Sequence, residues 1–287
     1  MTATTRDLEV QTYDDLNDFA EAALPFLLED EALNNLPIGV VRFLQRPGSI
    51  PAAFLATIRD RRGQVSGVVT LNHGHALVVA GTPPESIGGL VSALRDRALA
   101  PPGVFGRPDF ARAFAEAWCE KRGLLPRCVA TRGAFALREL RRPVPVRGHF
   151  SQASLEELPV LVEWTRAFHL EIPNIGPAPG VATLEARIQT GVTFMWADPD
   201  GYPTSMAIIG RESASGAAIQ FVYTPPELRG QGFASNLVAS VCEKILRSGK
   251  SYCALFADLE NPAATKLYRR LGFDQLSIVE HHVFEHP

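Results

Sequence analysis

Cysteine is scarce in this chain: Cys119, Cys128, Cys242 and Cys253 are the only four among 287 residues. None stands in a C-x-x-C pair, so the spacing lends no support to a structural zinc site. Cys242 falls beside an apolar helix face and Cys253 inside an apolar run, the usual setting of buried thiols in a reducing compartment. His73 and His75 flank Gly74, but the sequence places no third ligand with them, and no metal is expected. Long apolar runs are missing as well. None reaches the roughly 18 residues of a membrane span. Met1 to Leu8 lacks the apolar core of a signal peptide. The expectation is a cytoplasmic protein with no membrane partner. Charge of one sign is not in excess: 28 Lys and Arg stand against 31 Asp and Glu, a net charge of −3. That balance gives no electrostatic footprint for nucleic acid, and no nucleic-acid partner is expected.

What is present is ordinary globular composition, 46% hydrophobic and 21% charged. The length suggests about two domains. The most informative stretch begins at Ile219. Ile219 to Tyr223 is apolar and reads as a strand, which Pro225 and Pro226 end. Arg229-Gly-Gln-Gly232 follows, and helical periodicity starts at about Phe233. Ala234, Leu237, Val238, Val241 and Ile245 share one face of that helix. Ser235, Asn236, Ser240, Glu243, Lys244 and Arg247 take the other, and Gly249 is the stop signal.

Strand, glycine turn and helix in that order suit an anion. The first helical turn leaves about four backbone N–H groups without internal partners. The macrodipole adds partial positive charge there, and glycines let a phosphate approach the backbone. No Asp or Glu lies between Glu227 and Glu243, and Arg229 sits at the turn. A diphosphate fits such a cradle. The turn is neither G-x-x-x-x-G-K-[ST] nor G-x-G-x-x-G, which sets aside a P-loop and a Rossmann turn. Downstream, Tyr252 to Ala257 suits a strand buried on both faces. Asn261 then stands as an N-cap with Pro262 at the first helical position. The short helix ends at Gly272, placed for the left-handed C′ conformation.

The pattern R-x-x-G-x-A, carried by Arg229, Gly232 and Ala234, resembles the pyrophosphate loop of the GNAT superfamily of N-acetyltransferases. Asn261-Pro-Ala-Ala-Thr-Lys-Leu-Tyr-Arg-Arg-Leu-Gly-Phe273 resembles the second half of the GNAT core. The likeness covers the chain from about Val146 to the end. It implies acetyl-coenzyme A as cosubstrate and no metal. It implies that Val222, Tyr223 and Thr224 hold the pantetheine arm, with N–H groups near Tyr223 and Thr224 in an oxyanion-hole role. It gives the pyrophosphate to the backbone of Arg229, Gly230, Gln231, Gly232, Phe233 and Ala234. It places Asn261 and Ala264 near the pantetheine arm and Tyr268 beside the sulfur. A phenol with a pKa near 10 stays protonated at neutral pH, so Tyr268 is the expected general acid. The general base is open among His169, Glu171, Asp258 and Glu260. Thr224 and Pro225 stand where many relatives carry an aliphatic and a polar residue, so splaying of the strand is an assumption.

The N-terminal half gives weaker signals. Leu16, Phe19, Ala20, Ala23 and Leu24 fit a helix capped by Asp14 or Asp15, and Glu29 to Leu36 a second one. Ala53 to Ile58, Val65 to Leu71 and Ala76 to Ala80 read as strands. Gly81-Thr-Pro-Pro-Glu85 echoes Thr224-Pro-Pro-Glu227, again between a strand and a helix, but without the arginine and the last loop glycine. Residues 1–142 are therefore expected to form a degenerate GNAT-like unit. Residues 143–147, rich in proline, form a linker, and 148–287 form the catalytic unit. Tandem chains of this kind occur in the family. Ser154 with Glu157 forms a capping box, and Pro173 to Gly180 is an irregular segment where the family often builds its acceptor site.

The expected fold is α/β (α+β): two GNAT-like units, each a mixed, mostly antiparallel sheet flanked by helices, with a splayed central strand pair in the C-terminal unit. The expected activity is N-acetylation of a primary amine on a small-molecule or amino-acid-like acceptor, by direct transfer in a ternary complex. A non-catalytic coenzyme A-binding scaffold and an acyltransferase for longer acyl groups or an oxygen acceptor remain open, as does the choice between monomer and homodimer.

Overall fold

The computed structural model describes residues 8–172 and 178–287. The segment expected to be irregular, Pro173 to Gly180, falls outside the described residues as far as residue 177. Two compact units emerge, residues 1–132 with 277–287, and residues 133–276.

The N-terminal half runs β1 (Glu9–Thr12), α1 (Leu16–Leu28), α2 (Asn35–Leu44), β2 (Phe54–Arg59), β3 (Val65–Leu71), β4 (Leu77–Ala80), α3 (Ile87–Asp96), β5 (Gly103–Gly106), α4 (Pro108–Glu120) and β6 (Leu125–Leu137). The C-terminal half runs β7 (His149–Gln152), α5 (Leu158–Glu171), α6 (Val181–Gln189), β8 (Thr193–Ala197), β9 (Pro203–Gly210), β10 (Gly216–Tyr223), α7 (Phe233–Arg247), β11 (Tyr252–Asp258), α8 (Pro262–Leu271) and β12 (Asp274–Glu285). The same order of ten elements thus occurs twice. The four-residue echo sits at the equivalent place in each. Pro84–Ser86 and Pro226–Leu228 both form a 3-10 turn between a strand and the next helix.

In the first unit the strand order is β1-β2-β3-β4-β5-β12-β6, with β4 and β5 parallel. Alternation along β2 divides its side chains between two layers. Phe54, Ala56 and Ile58 pack with Leu90, Phe114 and Trp118 of α3 and α4, while Leu55 packs with Phe19, Leu27 and Val41 of α1 and α2. Asp15 caps α1 through the N–H groups of Asn17 and Asp18. The helix expected over 29–36 starts instead at Asn35. Asp30 accepts from the Leu33 and Asn34 N–H groups and holds the preceding residues as a turn.

In the second unit the order is β6-β11-β10-β9-β8-β7, with β10 and β11 parallel. The apolar face foreseen for α7 is buried at Leu237, Val238, Val241 and Ile245, packed on β8, β10 and β11 together with Tyr268 and Leu271 of α8. On the other side of the sheet, Leu161 and Trp164 of α5 and Ile188 of α6 cover Met195, Met206 and Tyr223. Asn236, expected on the polar face, is buried instead. Its amide donates to the Val144 and Gly232 carbonyls, which explains how a polar side chain is held there. The capping box at Ser154 and Glu157 forms as the sequence indicated. Among the described residues no helix is long and apolar enough to cross a membrane.

Candidate functional site

Two irregularities in β10 open the sheet. The first is a bulge. β10 pairs with β9 through Gln220↔Ile208 and then Tyr223↔Met206, three steps on one strand against two on the other. Phe221 carries the change at φ +53, an uncommon conformation for a bulky side chain. The second is a divergence. The parallel pairing of β10 and β11 ends at Ala218↔Ala254, although the strands run on to Tyr223 and Asp258. This is the splayed pair the sequence reading assumed. It leaves Val222 to Thr224 without a β11 partner.

The helix that follows presents its N-terminus to the same place. Gly232 occupies the N-cap of α7 at φ +87, and no side chain caps it. The first N–H groups of α7 are thereby left for an external acceptor. A Cβ on Gly232 would lie 2.9 Å from Val146 Cγ1, so a side chain is disfavoured by space as well as by φ. A cavity of about 510 Å³ lies between the splayed strand, this helix end and α8.

Of the residues named from the sequence, Val222, Tyr223 and Thr224 line the cavity from β10. Arg229, Gly230, Gly232, Phe233 and Ala234 line it from the loop and α7, and Asn261, Ala264 and Tyr268 from α8. Gln231 is exposed and does not line it. The Thr224 hydroxyl is buried with no hydrogen-bond partner among the described residues. Asn261 Oδ1 accepts from the Ala264 N–H at 3.0 Å, so this side chain caps α8. Sequence reasoning missed Phe168, Leu228, Lys266 and Arg270, which also line the cavity. The two cations could have been noticed from their places on either side of Tyr268.

Tyr268 is buried, its ring against Phe135 and Phe273. Its hydroxyl makes no hydrogen bond among the described residues. Burial pushes its pKa well above the usual phenol value, and Cys242 adds to the effect. Tyr223 is also raised, first by burial and then by the negative charge of Glu171.

The Arg229 side chain turns back toward the protein. Its Nε donates to the Thr224 carbonyl at 2.9 Å, and its Nη2 meets both Glu171 oxygens at 2.7 Å. Glu171, a candidate base, therefore stands at the cavity as the partner of Arg229. His169 lies one position beyond Phe168, its ring 5.6 Å from that of Phe221. Its Nδ1 is 2.7 Å from the Thr165 carbonyl. A carbonyl only accepts, so Nδ1 carries the proton, and Nε2 of the neutral ring is left as an acceptor. Asp258 accepts from the Glu260 N–H in a turn, and neither residue lines the cavity.

A larger, open depression of about 700 Å³ lies beside the C-terminal half of α7. Most of its charged side chains are engaged within the protein: Glu243 pairs with Arg142 and Arg247, Lys250 donates to the Ser213 carbonyl, and Lys244 lies over the Phe194 ring. Chemistry therefore favours the smaller cavity. Among the described residues one group has metal-ligand composition, Cys128, Glu280 and His282 in the first unit. There Arg112 spans both Glu280 oxygens and His282 Nε2 lies 2.8 Å from one of them, an ion network complete without a metal.

Residues 202–283 match the family model described as FR47-like protein. A 64-residue segment is 30% identical to an uncharacterized N-acetyltransferase of Methanocaldococcus jannaschii. The match covers 22% of this chain and 28% of the relative's length. The whole fold is similar to a GCN5-related N-acetyltransferase of Sphaerobacter thermophilus, with a TM-score of 0.64 at 17% identity over 100% of this chain and 98% of that one. It is also similar to a tandem GNAT protein from the clavulanic acid biosynthesis pathway, with a TM-score of 0.56 at 14% identity over 97% and 98% of the two chains. Residues 202–283 are thus similar to the FR47-like family, and the fold is similar to those of the solved GNAT structures.

Proposed function

We propose that the C-terminal half transfers an acetyl group from acetyl-coenzyme A to a primary amine of a small-molecule or amino-acid-like acceptor, by direct transfer in a ternary complex. The observation that carries this reading is the meeting, in one cavity, of the splayed end of β10, the uncapped N-terminus of α7 and the partner-free hydroxyl of Tyr268. The residues fit the cosubstrate. The α7 N-terminus offers free N–H groups to a pyrophosphate. Lys266 and Arg270 add positive charge at the wall, and Thr224 lines it from the end of β10. Acetyl-coenzyme A supplies the activated thioester.

The chain's own residues then have three tasks. Backbone groups at Val222 to Thr224, freed by the splay, orient the acyl carbonyl and favour negative charge on its oxygen. Tyr268 donates a hydrogen bond to the departing sulfur. Glu171 lines the cavity but is occupied by Arg229, so we assign removal of the amine proton to His169 Nε2, which stands beside Phe168 outside the cavity lining and would act through water. The division into a degenerate half, 1–142, and a catalytic half, 148–287, is part of the same proposal.

Calorimetric titration with acetyl-coenzyme A tests the reading, followed by thiol release with a panel of primary amines. Binding at one site per chain with amine-dependent release is the expected result. Binding without release for any amine would favour a non-catalytic coenzyme A-binding protein. No binding would remove the cavity from cofactor chemistry.

A further inference from the structure

Arg187, on the second turn of α6, has a buried Nη1 with no hydrogen-bond partner among the described residues. No ion pair involves it there. Its neighbours in the same unit behave differently: Arg142, Arg229 and Arg247 each meet a carboxylate. The Arg187 guanidinium instead lies 5.1 Å from the centroid of the Phe221 ring. Partial burial lowers its pKa from the usual guanidinium value. Contact with an aromatic face offsets only part of that penalty, since such contacts contribute on the order of 0.5–2 kcal/mol.

Phe221 connects this cation to the proposed reaction centre. It is the bulge residue, and its neighbour Val222 lines the cavity. The Phe221 ring also meets the rings of Phe168, which lines the cavity, and of His169. Arg187, His169 and Phe168 are thus grouped around one ring at the mouth of the splay. Arg187 is only half-buried, so the rest of its partner-free guanidinium is open to an anion approaching this ring cluster.

We propose that Arg187 binds the carboxylate of the acceptor, so that the substrate class is small primary amines carrying a carboxylate, amino acids among them. The proposal rests on the acetyltransferase reading and narrows its acceptor. A guanidinium fork matches a carboxylate geometrically, and the energetic logic is one-sided. A bound carboxylate completes a charge pair already desolvated on the protein's side. An amide or a decarboxylated amine leaves the cation as unpaired as before.

The test pairs each standard amino acid with its carboxamide, and adds ethanolamine phosphate and taurine as anions without a carboxylate. Thiol release from acetyl-coenzyme A is measured for wild type and Arg187→Met, a neutral side chain of similar reach. Melting temperature is measured in parallel with the same compounds at millimolar concentration. For any acceptor used, the carboxylate form should exceed its amide by at least about 100-fold in kcat/KM. Arg187→Met should abolish that preference, leave acetyl-coenzyme A affinity unchanged, and melt no lower than wild type, because it removes a half-buried charge that has no partner among the described residues. A residue held only for structure would lower the melting temperature on substitution.

Equal use of amides, preference for the phosphate or sulfonate, or a preference that survives in Arg187→Met would each overturn the proposal. Turnover of no amino acid, with acetyl-coenzyme A bound, would overturn it and leave the cofactor reading intact. Failure to bind acetyl-coenzyme A would instead sink the function reading. The melting arm then still decides, since amino acids must raise the wild-type melting temperature more than that of Arg187→Met.

Discussion

Tyr268→Phe separates catalysis from architecture in one atom. The hydroxyl has no hydrogen-bond partner among the described residues, so its removal breaks no protein contact. The ring contacts with Phe135 and Phe273 survive in phenylalanine. The hydroxyl faces the cavity and holds no partner among the described residues, so the stability of the variant should lie within about 1 kcal/mol of wild type. Turnover should behave differently. A positioned acid contributes roughly 10²–10⁴ in rate. The direction of the pKa shift sets where in that range Tyr268 falls. Burial raises it above the ordinary 10.0, whereas a thiol ordinarily titrates near about 8.5. Each unit of that mismatch costs about 1.4 kcal/mol for full proton transfer. In the proposed role Tyr268 would act by a hydrogen bond to the developing thiolate more than by an early proton transfer, and a loss near the lower end, about 100-fold in kcat, is expected. Because the pKa is raised, the phenol stays protonated throughout neutral and mildly alkaline solution, so it contributes no falling limb to the rate profile below pH 10. Thiol release across pH, acetyl-coenzyme A affinity by calorimetry, and melting temperature are the three assays. A kcat within about twofold of wild type would refute the role. So would a falling limb below pH 10 in wild type that disappears in the variant.

Arg229→Glu should weaken acetyl-coenzyme A binding by about 100-fold or more in calorimetry, since it places a carboxylate at the pyrophosphate and beside Glu171. The ion pair itself is half-exposed and worth at most about 1 kcal/mol, so little change in melting temperature should accompany the loss. Gly232→Ala forces a side chain into φ +87 and toward Val146. A loss of about 1–3 kcal/mol on denaturant titration is expected, together with weakened cofactor binding. Glu280→Gln tests the charge network of the first unit. Hydrogen bonding from Arg112 is the first cause of the lowered Glu280 pKa. Its stabilisation is therefore present above the unfolded carboxylate value, about 4.3, and is lost as pH falls through the lower folded value. Wild type should melt above Glu280→Gln at neutral pH, with the gap closing as the solution is acidified below about pH 4. A gap independent of pH would show that the carboxylate charge is not what stabilises the unit.

Local chemistry wrote much of this protein into its sequence. Asn261, Pro262 and Gly272 bound α8 because a cap, a first-turn proline and a left-handed glycine each act within a few residues. Phe233 to Arg247 announces its helix by periodicity, and Gly230 and Gly232 announce the turn before it. The doubled Thr-Pro-Pro-Glu marks the equivalent point in both halves because proline and the turn after it are local matters too. Long-range events left fainter traces. β6 and β12 are strands of 13 and 12 residues that no clean alternation disclosed. Their side chains face different neighbours along their length: β6 is exposed at its start and buried at its end. β10 diverges from β11 after Ala218 and bulges against β9 at Phe221, and nothing in that residue itself signals a positive φ. The Glu171–Arg229 pair joins residues 58 positions apart. The unmatched cation of Arg187 is invisible in a sequence where arginine is common, because being unpaired is a property of surroundings. Capping, periodicity and turn chemistry act over a few residues, so they could be read from the chain alone. Burial, splay and the company each charge keeps are settled only when distant segments meet.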